Sequence, residues 1–436
     1  MAVIELSPET PAHLDPGGPP PAWVYRRLGL LLAAVLVLAL GGAAPGTPVL
    51  WERTGVLTTG QNNDVVTSGD GRFYVLDFDR TPPVITAWST GPVEELWRVT
   101  GPPGDAAAVR YAMTAVPGGS LLVDVAGKTT VLDPRTGKEQ WHADAPVTAV
   151  GAGTALVRVE HFRPGTEYDV DSGDPGALYG TGTLHTEPAQ RTELRGVEQA
   201  TGKQLWSTVL PGSVYATVSG QSVVVVTATS LRLLDARTGR VVRERAVAGP
   251  TWVETVADSV LLHYGAYGTG GRVVAVAAGT LDERWTSDLP DFEGSSVSCA
   301  GLVCAKGRDD VAVLDPATGA RLWTLPSTEA VDLVAFGRSS VLWSQTGAIR
   351  SVVDRRTGKP LADTRSWPAS AATPGGEAYL LTRKSPSQGM EFALLRPGRA
   401  PQLLGSRPEF VTSCRVDAGF AVCRDEDRLM VYRYRG

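Results

Sequence analysis

From Trp51 onward the chain is built of short apolar runs of four to eight residues, separated by turns rich in Gly, Pro, Asp and Thr. Runs such as 121–125 (LLVDV), 223–226 (VVVV), 260–262 and 380–382 hold Val and Leu in alternating or unbroken stretches. That is the pattern of strands buried on one or both faces. No 3.6-residue period interrupts it, so residues 45–436 read as one all-β domain. The first 44 residues follow another pattern. Residues 1–27 carry Pro8, Pro11, Pro16, Pro19, Pro20 and Pro21 with almost no apolar periodicity, a composition too poor in burial to fold. Arg26-Arg27 then precedes an uncharged apolar run over 28–44 (LGLLLAAVLVLALGGAA). A spanning helix needs at least about 17 such residues, and flanking arginines stay on the cytoplasmic side. The expectation is a disordered cytoplasmic tail over 1–27, a transmembrane anchor over 28–44, and an extracytoplasmic domain over 45–436. A signal peptide cleaved near Ala43 is the alternative, and it exports the same domain.

The strand pattern also repeats. LDPRTGKEQW (132–141) recurs as VEQATGKQLW (197–206), LDARTGRVVR (234–243), VAAGTLDERW (276–285), LDPATGARLW (314–323) and VDRRTGKPLA (353–362). Fainter copies lie at 87–97 and 394–404. Turn glycines fall at 91, 137, 202, 239, 279, 319, 358 and 398, and from Gly202 the steps are 37, 40, 40, 39 and 40 residues. About 40 residues is the period of a four-stranded propeller blade. In the turn, Asp and Thr side chains bond nearby backbone and Gly supplies a positive φ. The final run, 429–435 (LMVYRYR), has no following turn, and 49–53 (VLWER) is an outer strand without a blade. Pairing the two closes a ring. Eight marked turns plus this closing unit count to nine. Propellers commonly have about four to eight blades, so eight are expected, within seven to nine, with one unit irregular.

The Asp-x-x-Thr-Gly-x-x-x-Trp segment resembles the tryptophan docking motif of the pyrroloquinoline-quinone (PQQ) propeller repeat family, over most of the chain from about Trp51. WD-repeat propellers match less well, because no Gly-His…Trp-Asp pair recurs at the blade period. The resemblance implies that Trp97, Trp141, Trp206, Trp285 and Trp323 clamp one blade to the next and bind no ligand. Members that hold the quinone typically carry adjacent cysteines, a calcium site and a catalytic aspartate. This chain has no Cys-Cys, and no ligand residue can be carried over, so no cofactor is expected.

Composition narrows the function. The net charge is −5, and no basic stripe is present, which argues against nucleic acid. No Gly-x-Ser-x-Gly elbow, His-Glu-x-x-His helix or Gly-x-x-x-x-Gly-Lys loop occurs, so no catalytic residue is assigned. The four cysteines, Cys299, Cys304, Cys414 and Cys423, form two close couples. In an exported chain they read as two disulfides. A turn at Gly301-Leu302 or at Ala418-Gly419 makes each couple a non-hydrogen-bonded pair across a hairpin. One step of the repeat, from Gly137 to Gly202, is 65 residues long, and the excess lies in 161–190. Asp169, Asp171 and Asp174, with Glu167, are weak cation candidates there, against the reading of a solvated loop. The expected function is a non-enzymatic binding scaffold at the cell membrane, with an envelope protein or cell-wall component as partner. A PQQ-dependent dehydrogenase is the alternative.

Overall fold

The computed structural model describes Trp23, Arg26, Gly29 and most of 51–435; residues 59–63, 103–110, 165–188, 266–270, 290–298, 327–331, 344–348 and shorter pieces of some turns fall outside the description. The chain divides into two units, 1–50 and 51–436. In the first, Trp23, Arg26 and Gly29 are helical. The expected anchor over 28–44 lies outside the described residues except for Gly29. Among the described residues no helix is long and apolar enough to cross a membrane.

The second unit is a β-propeller. Its described residues form thirty-five strands, β1 (Trp51–Thr58) to β35 (Arg428–Tyr434), in nine antiparallel sheets. In chain order, blades 1 to 8 span 64–100, 111–143, 147–211, 215–246, 252–289, 303–326, 332–363 and 369–407. Blade 9 takes its three inner strands from 413–434 and its outer strand from β1. β1 pairs with β35 from Trp51↔Tyr434 to Thr58↔Arg428, the closure expected from the terminal runs. The blade number corrects the expectation of eight. The faint units near 87–97 and 394–404 lack the full turn motif, yet each keeps the strand alternation and builds its own sheet. Blade 6 shows three described strands, and residues 291–298 before it lie outside the description.

A bulge recurs where the outer two strands of every blade meet, for example between Val131 and Leu132 and between Val313 and Leu314. A bulge bends its strand and re-aims the next side chain. Here it aligns all nine units independently of sequence. The residue just beyond it is Trp97, Trp141, Trp206, Trp285 or Trp323 in five blades. In blades 4, 7, 8 and 9 it is Arg243, Ala362, Gly405 and Gly55. Burial follows the same ring. Apolar clusters lie between neighbouring blades, such as Tyr74, Leu76 and Trp97 with Leu121 and Val123, or Phe73 and Val75 with Phe420 and Val431 across the closure. Each blade thus has a core only by virtue of its neighbours.

Both cysteine couples are bonded, within blades 6 and 9. Cys414 and Cys423 stand directly opposite each other, with Asp417 and Phe420 closing the turn, in the expected register. Cys299 and Cys304 do not. The Leu302 amide donates to the Cys299 carbonyl at 2.8 Å, and the positive-φ residues are Ala300 and Gly301. The turn therefore sits one residue earlier than expected, and the couple is diagonal, with Cα atoms 5.8 Å apart. Gly301 would have filled only one of the two left-handed positions of a turn centred on itself and Leu302. The observed turn asks Ala300, with a single methyl, to take the other. Loops this short constrain the unfolded chain weakly, so Cys414→Ser is expected to cost about 2–3 kcal/mol without opening the ring. Intact-mass measurement with and without alkylation, together with a melting curve, checks both parts.

Candidate functional site

The repeated turn and its tryptophan are the most elaborated local chemistry in the ring. In blade 2 the Asp133 carboxylate accepts from the amides of Arg135 and Thr136 at 2.7 and 3.0 Å, and the Gly137 amide donates to the Asp133 carbonyl at 2.8 Å. Gly137 has φ 70°. Asp235, Asp315 and Asp354 repeat the arrangement in blades 4, 6 and 7. Hydrogen bonds from the Thr238 and Thr357 hydroxyls, with backbone amides, hold the Asp235 and Asp354 carboxyls below their ordinary range.

Each tryptophan meets the turn of the following blade, not its own. The indole nitrogens of Trp97, Trp141, Trp206, Trp285 and Trp323 donate to the carbonyls of Pro134, Gln199, Ala236, Pro316 and Arg355 at 2.8–3.1 Å. Each ring lies on the next turn's glycine: a Cβ added at Gly137, Gly202, Gly239, Gly319 or Gly358 would fall 2.6 Å from the indole of the preceding blade. Four of the tryptophans are buried and Trp323 is half-buried.

Four contacts depart from this rule, and sequence reading missed them. Between blades 4 and 5 the tryptophan position is the exposed Arg243. The turn position is Leu281, not Gly279 as the spacing suggested: Leu281 has φ 60°, and its amide donates to Ala277 as Gly137 does to Asp133. With no indole above it, Leu281 fills the contact itself. Between blades 7 and 8 the position is Ala362, and Trp367 from the connecting segment packs there instead. Between blades 8 and 9 the position is Gly405. The indole comes from Trp51, at the turn position of blade 9, and stacks on Phe392 and Tyr432 with ring centres 4.6 Å apart in each case. Between blades 9 and 1, Gly55 meets Val93, whose Cβ would lie 2.7 Å from a Cβ at Gly55. One signal was available: in the strong motifs glycine precedes tryptophan by four, and Val93 and Leu281 precede Trp97 and Trp285 by four.

Two cavities adjoin the disulfides. One of about 390 Å³ is lined by Glu254, Thr255, Cys299, Gly301 and Cys304, between blades 5 and 6. The buried His263 bonds Glu254 at 2.9 Å beside it. The other, about 220 Å³, is lined by Val66, Ser413, Cys414, Arg415 and Arg424, between blades 1 and 9. Burial lowers the Arg424 pKa. Asp169, Asp171, Asp174 and Glu167 lie outside the described residues. Among the described residues no group of three or more His, Cys, Asp or Glu is placed to hold a metal.

In blade 3, on the strand that follows the long insert, Glu193 accepts from Arg195 through two bonds of 2.8 Å and from the Ser207 hydroxyl at 2.8 Å. These bonds hold its carboxyl down to about 2. The folded pKa lies below the unfolded one, so the contribution to stability is complete above the ordinary Glu value and is lost as pH falls toward 2. Carbon-detected NMR titration should place the Glu193 midpoint near 2, and Arg195→Gln should move it up toward an ordinary glutamate.

The family described as outer membrane protein assembly factor BamB matches residues 143–329, which hold two of the five indole–glycine contacts whole, Trp206 on Gly239 and Trp285 on Gly319. The ring is a β-propeller whose repeats, over that span, are similar to the PQQ-like type. No curated protein matches the chain. Among solved structures, BamB from Moraxella catarrhalis is similar at 16% identity, covering 74% of this chain and 96% of its own, with a TM-score of 0.41. The computationally designed Ika8 protein is similar at 17% identity over 74% and 96%, with a TM-score of 0.46. A europium-containing methanol dehydrogenase is similar at 11% identity over 88% and 93%, with a TM-score of 0.44. Two sets of side chains that could meet a planar quinone are engaged otherwise. The cysteines are spent tying strands within two blades, with Cys299, Cys304 and Cys423 buried. The docking tryptophans have their faces on turn glycines. Neither set offers a flat surface to a planar ligand.

Proposed function

We propose that this PQQ-like propeller is a non-enzymatic scaffold, exported and held at the membrane by its N-terminal segment, that binds a partner protein along its rim. The observation that carries the reading is the placement of exposed apolar side chains. Among the described residues of the ring, every large exposed apolar side chain except Phe410 lies on an outer strand: Val56, Leu96, Leu205, Val209, Val241, Val242, Leu361 and Leu403. An outer strand also has an unpaired backbone edge, and an edge with apolar side chains is a template for another chain's strand. The matched family's description as an assembly factor supports a protein partner, and the two disulfides support an oxidising compartment.

A photo-crosslinking amino acid at Val209 or Leu403, in intact cells, is expected to capture a discrete protein. The same probe at Val224, buried within blade 4, should capture none. A reporter active only outside the cytoplasm, fused after Gly436, should be active in the membrane fraction. Equal capture from both sites would reject rim binding, and a silent reporter would reject export. Dye reduction on adding PQQ and calcium to the purified chain would replace the scaffold reading with the dehydrogenase.

A further inference from the structure

Five joints share the indole–glycine contact, and one of them is built differently around it. Trp97, Trp141, Trp206 and Trp285 are buried, whereas Trp323 is half-buried. A short neighbouring strand accounts for the difference. The outer strand of blade 7, Pro360–Asp363, has four residues, and the other outer strands have five to eight among the described residues. Proline opens it with no amide to donate to the ladder. It ends where the Asp363 carboxylate accepts from the Arg365 amide at 2.9 Å. The joint between blades 6 and 7 is left with a cavity of about 360 Å³, within the size range of small-ligand pockets.

The buried lining of this cavity is apolar: Leu325, Leu342 and Val353, with the Trp323 indole as one wall. Its exposed lining is polar and holds two guanidiniums. Arg365 is engaged, because Asp363 accepts from it at 3.1 and 2.8 Å, and those bonds hold the Asp363 carboxyl down to about 2. Arg350 has no carboxylate partner among the described residues. The Asp363–Arg365 charges cancel, so Arg350 leaves the mouth of the cavity positive. We propose that the cavity binds a small monocarboxylate with an apolar body, the body against Leu325, Leu342 and Val353 and the carboxylate on Arg350. A neutral apolar molecule would gain nothing from Arg350. A carboxylate gains a charge-assisted bond, which is stronger than a neutral one. A molecule polar throughout would press unpaired polar groups against the apolar lining, which costs free energy. The site is independent of partner capture at Val209 and Leu403, which lie in blades 3 and 8.

Cyclohexanecarboxylate, titrated into the full-length chain in mild detergent, tests this. Fluorine NMR of the fluorotryptophan-labelled protein reads occupancy at Trp323, whose signal is identified by its loss in Trp323→Phe. That signal should shift saturably, while those of Trp97 and Trp206 stay in place. Cyclohexanecarboxamide, which lacks the charge, and acetate, which lacks the body, should each bind about tenfold more weakly or worse. Arg350→Gln should reduce cyclohexanecarboxylate to the level of the carboxamide at an unchanged melting temperature, because Arg350 is exposed. Ser351→Phe, which adds a ring at a residue of the cavity lining, should abolish the shift. Thr324→Phe takes its place if that variant does not fold. Equal binding of the carboxylate and the carboxamide would overturn the proposal. So would the absence of any saturable shift, or a shift that survives Arg350→Gln or the filled cavity.

Discussion

Replacing Trp206 by alanine is expected to lower the stability of the ring by about 3–5 kcal/mol, the usual cost of truncating a large buried aromatic. This indole is held from both sides. A Cβ at Gly196, its cross-strand partner, would fall 2.2 Å from the ring, and one at Gly239 of the next blade 2.6 Å from it. Truncation removes both faces of that sandwich, and the indole donation to the Ala236 carbonyl at 2.8 Å is lost with them. The two residues against its faces are glycines, which have no side chain to move into the space. Trp323 should lose less. It is half-buried and borders a cavity of about 360 Å³ shared with Leu325, Leu342 and Arg350, so water already reaches part of its surface. Equilibrium denaturation of the two variants measures the difference. Partner capture by whatever remains folded should be unchanged. Unchanged melting with lost capture would make these tryptophans a recognition surface.

The second large effect is expected at Gly319. Its φ of 70° is a strain for any side chain, and a Cβ there would sit 2.6 Å from the Trp285 ring. The left-handed conformation alone costs about 1–2 kcal/mol, and overpacking a tight contact adds about 1–3 kcal/mol. Gly398 separates the two causes, because its φ is 69° but nothing lies within 4 Å of an added Cβ. Gly319→Ala should therefore destabilise by about 2–5 kcal/mol, the sum of both costs. Gly398→Ala should lose only the conformational part. Equal losses would mean that the indole yields freely and that backbone conformation alone selects glycine in these turns. Leu281 already shows that a side chain is accepted at this φ where no indole covers the turn.

Much of this was legible before any coordinates. Alternating apolar runs specify strands because a strand needs only its own sheet face to be apolar. Asp133, Thr136 and Gly137 specify a turn because their hydrogen bonds and φ are satisfied within six residues. The closure of β35 by β1 was legible for the same reason, as a run without a turn matched a strand without a blade. The cysteine couple at Cys414 and Cys423 was legible because a hairpin's register follows from its turn. The couple at Cys299 and Cys304 was misplaced by one residue, since Ala300 accepts a left-handed conformation that its composition does not advertise.

Other features belonged to the tertiary structure alone. The partner of each tryptophan lies in the next blade, 30 to 58 residues away, so nothing within one motif reveals that its own glycine serves a different indole. In sequence Leu281 and Val93 sit in divergent copies of the repeat, and Trp51 and Gly55 in and just beyond a lone terminal strand. In the ring they are half of a contact whose other half is Arg243, Gly405 or another remote position. The blade number is of the same kind. Local pattern determined that the chain would form propeller blades and where most of them begin. The total of nine was decided by every joint at once, because a ring closes only when its last blade fits the first.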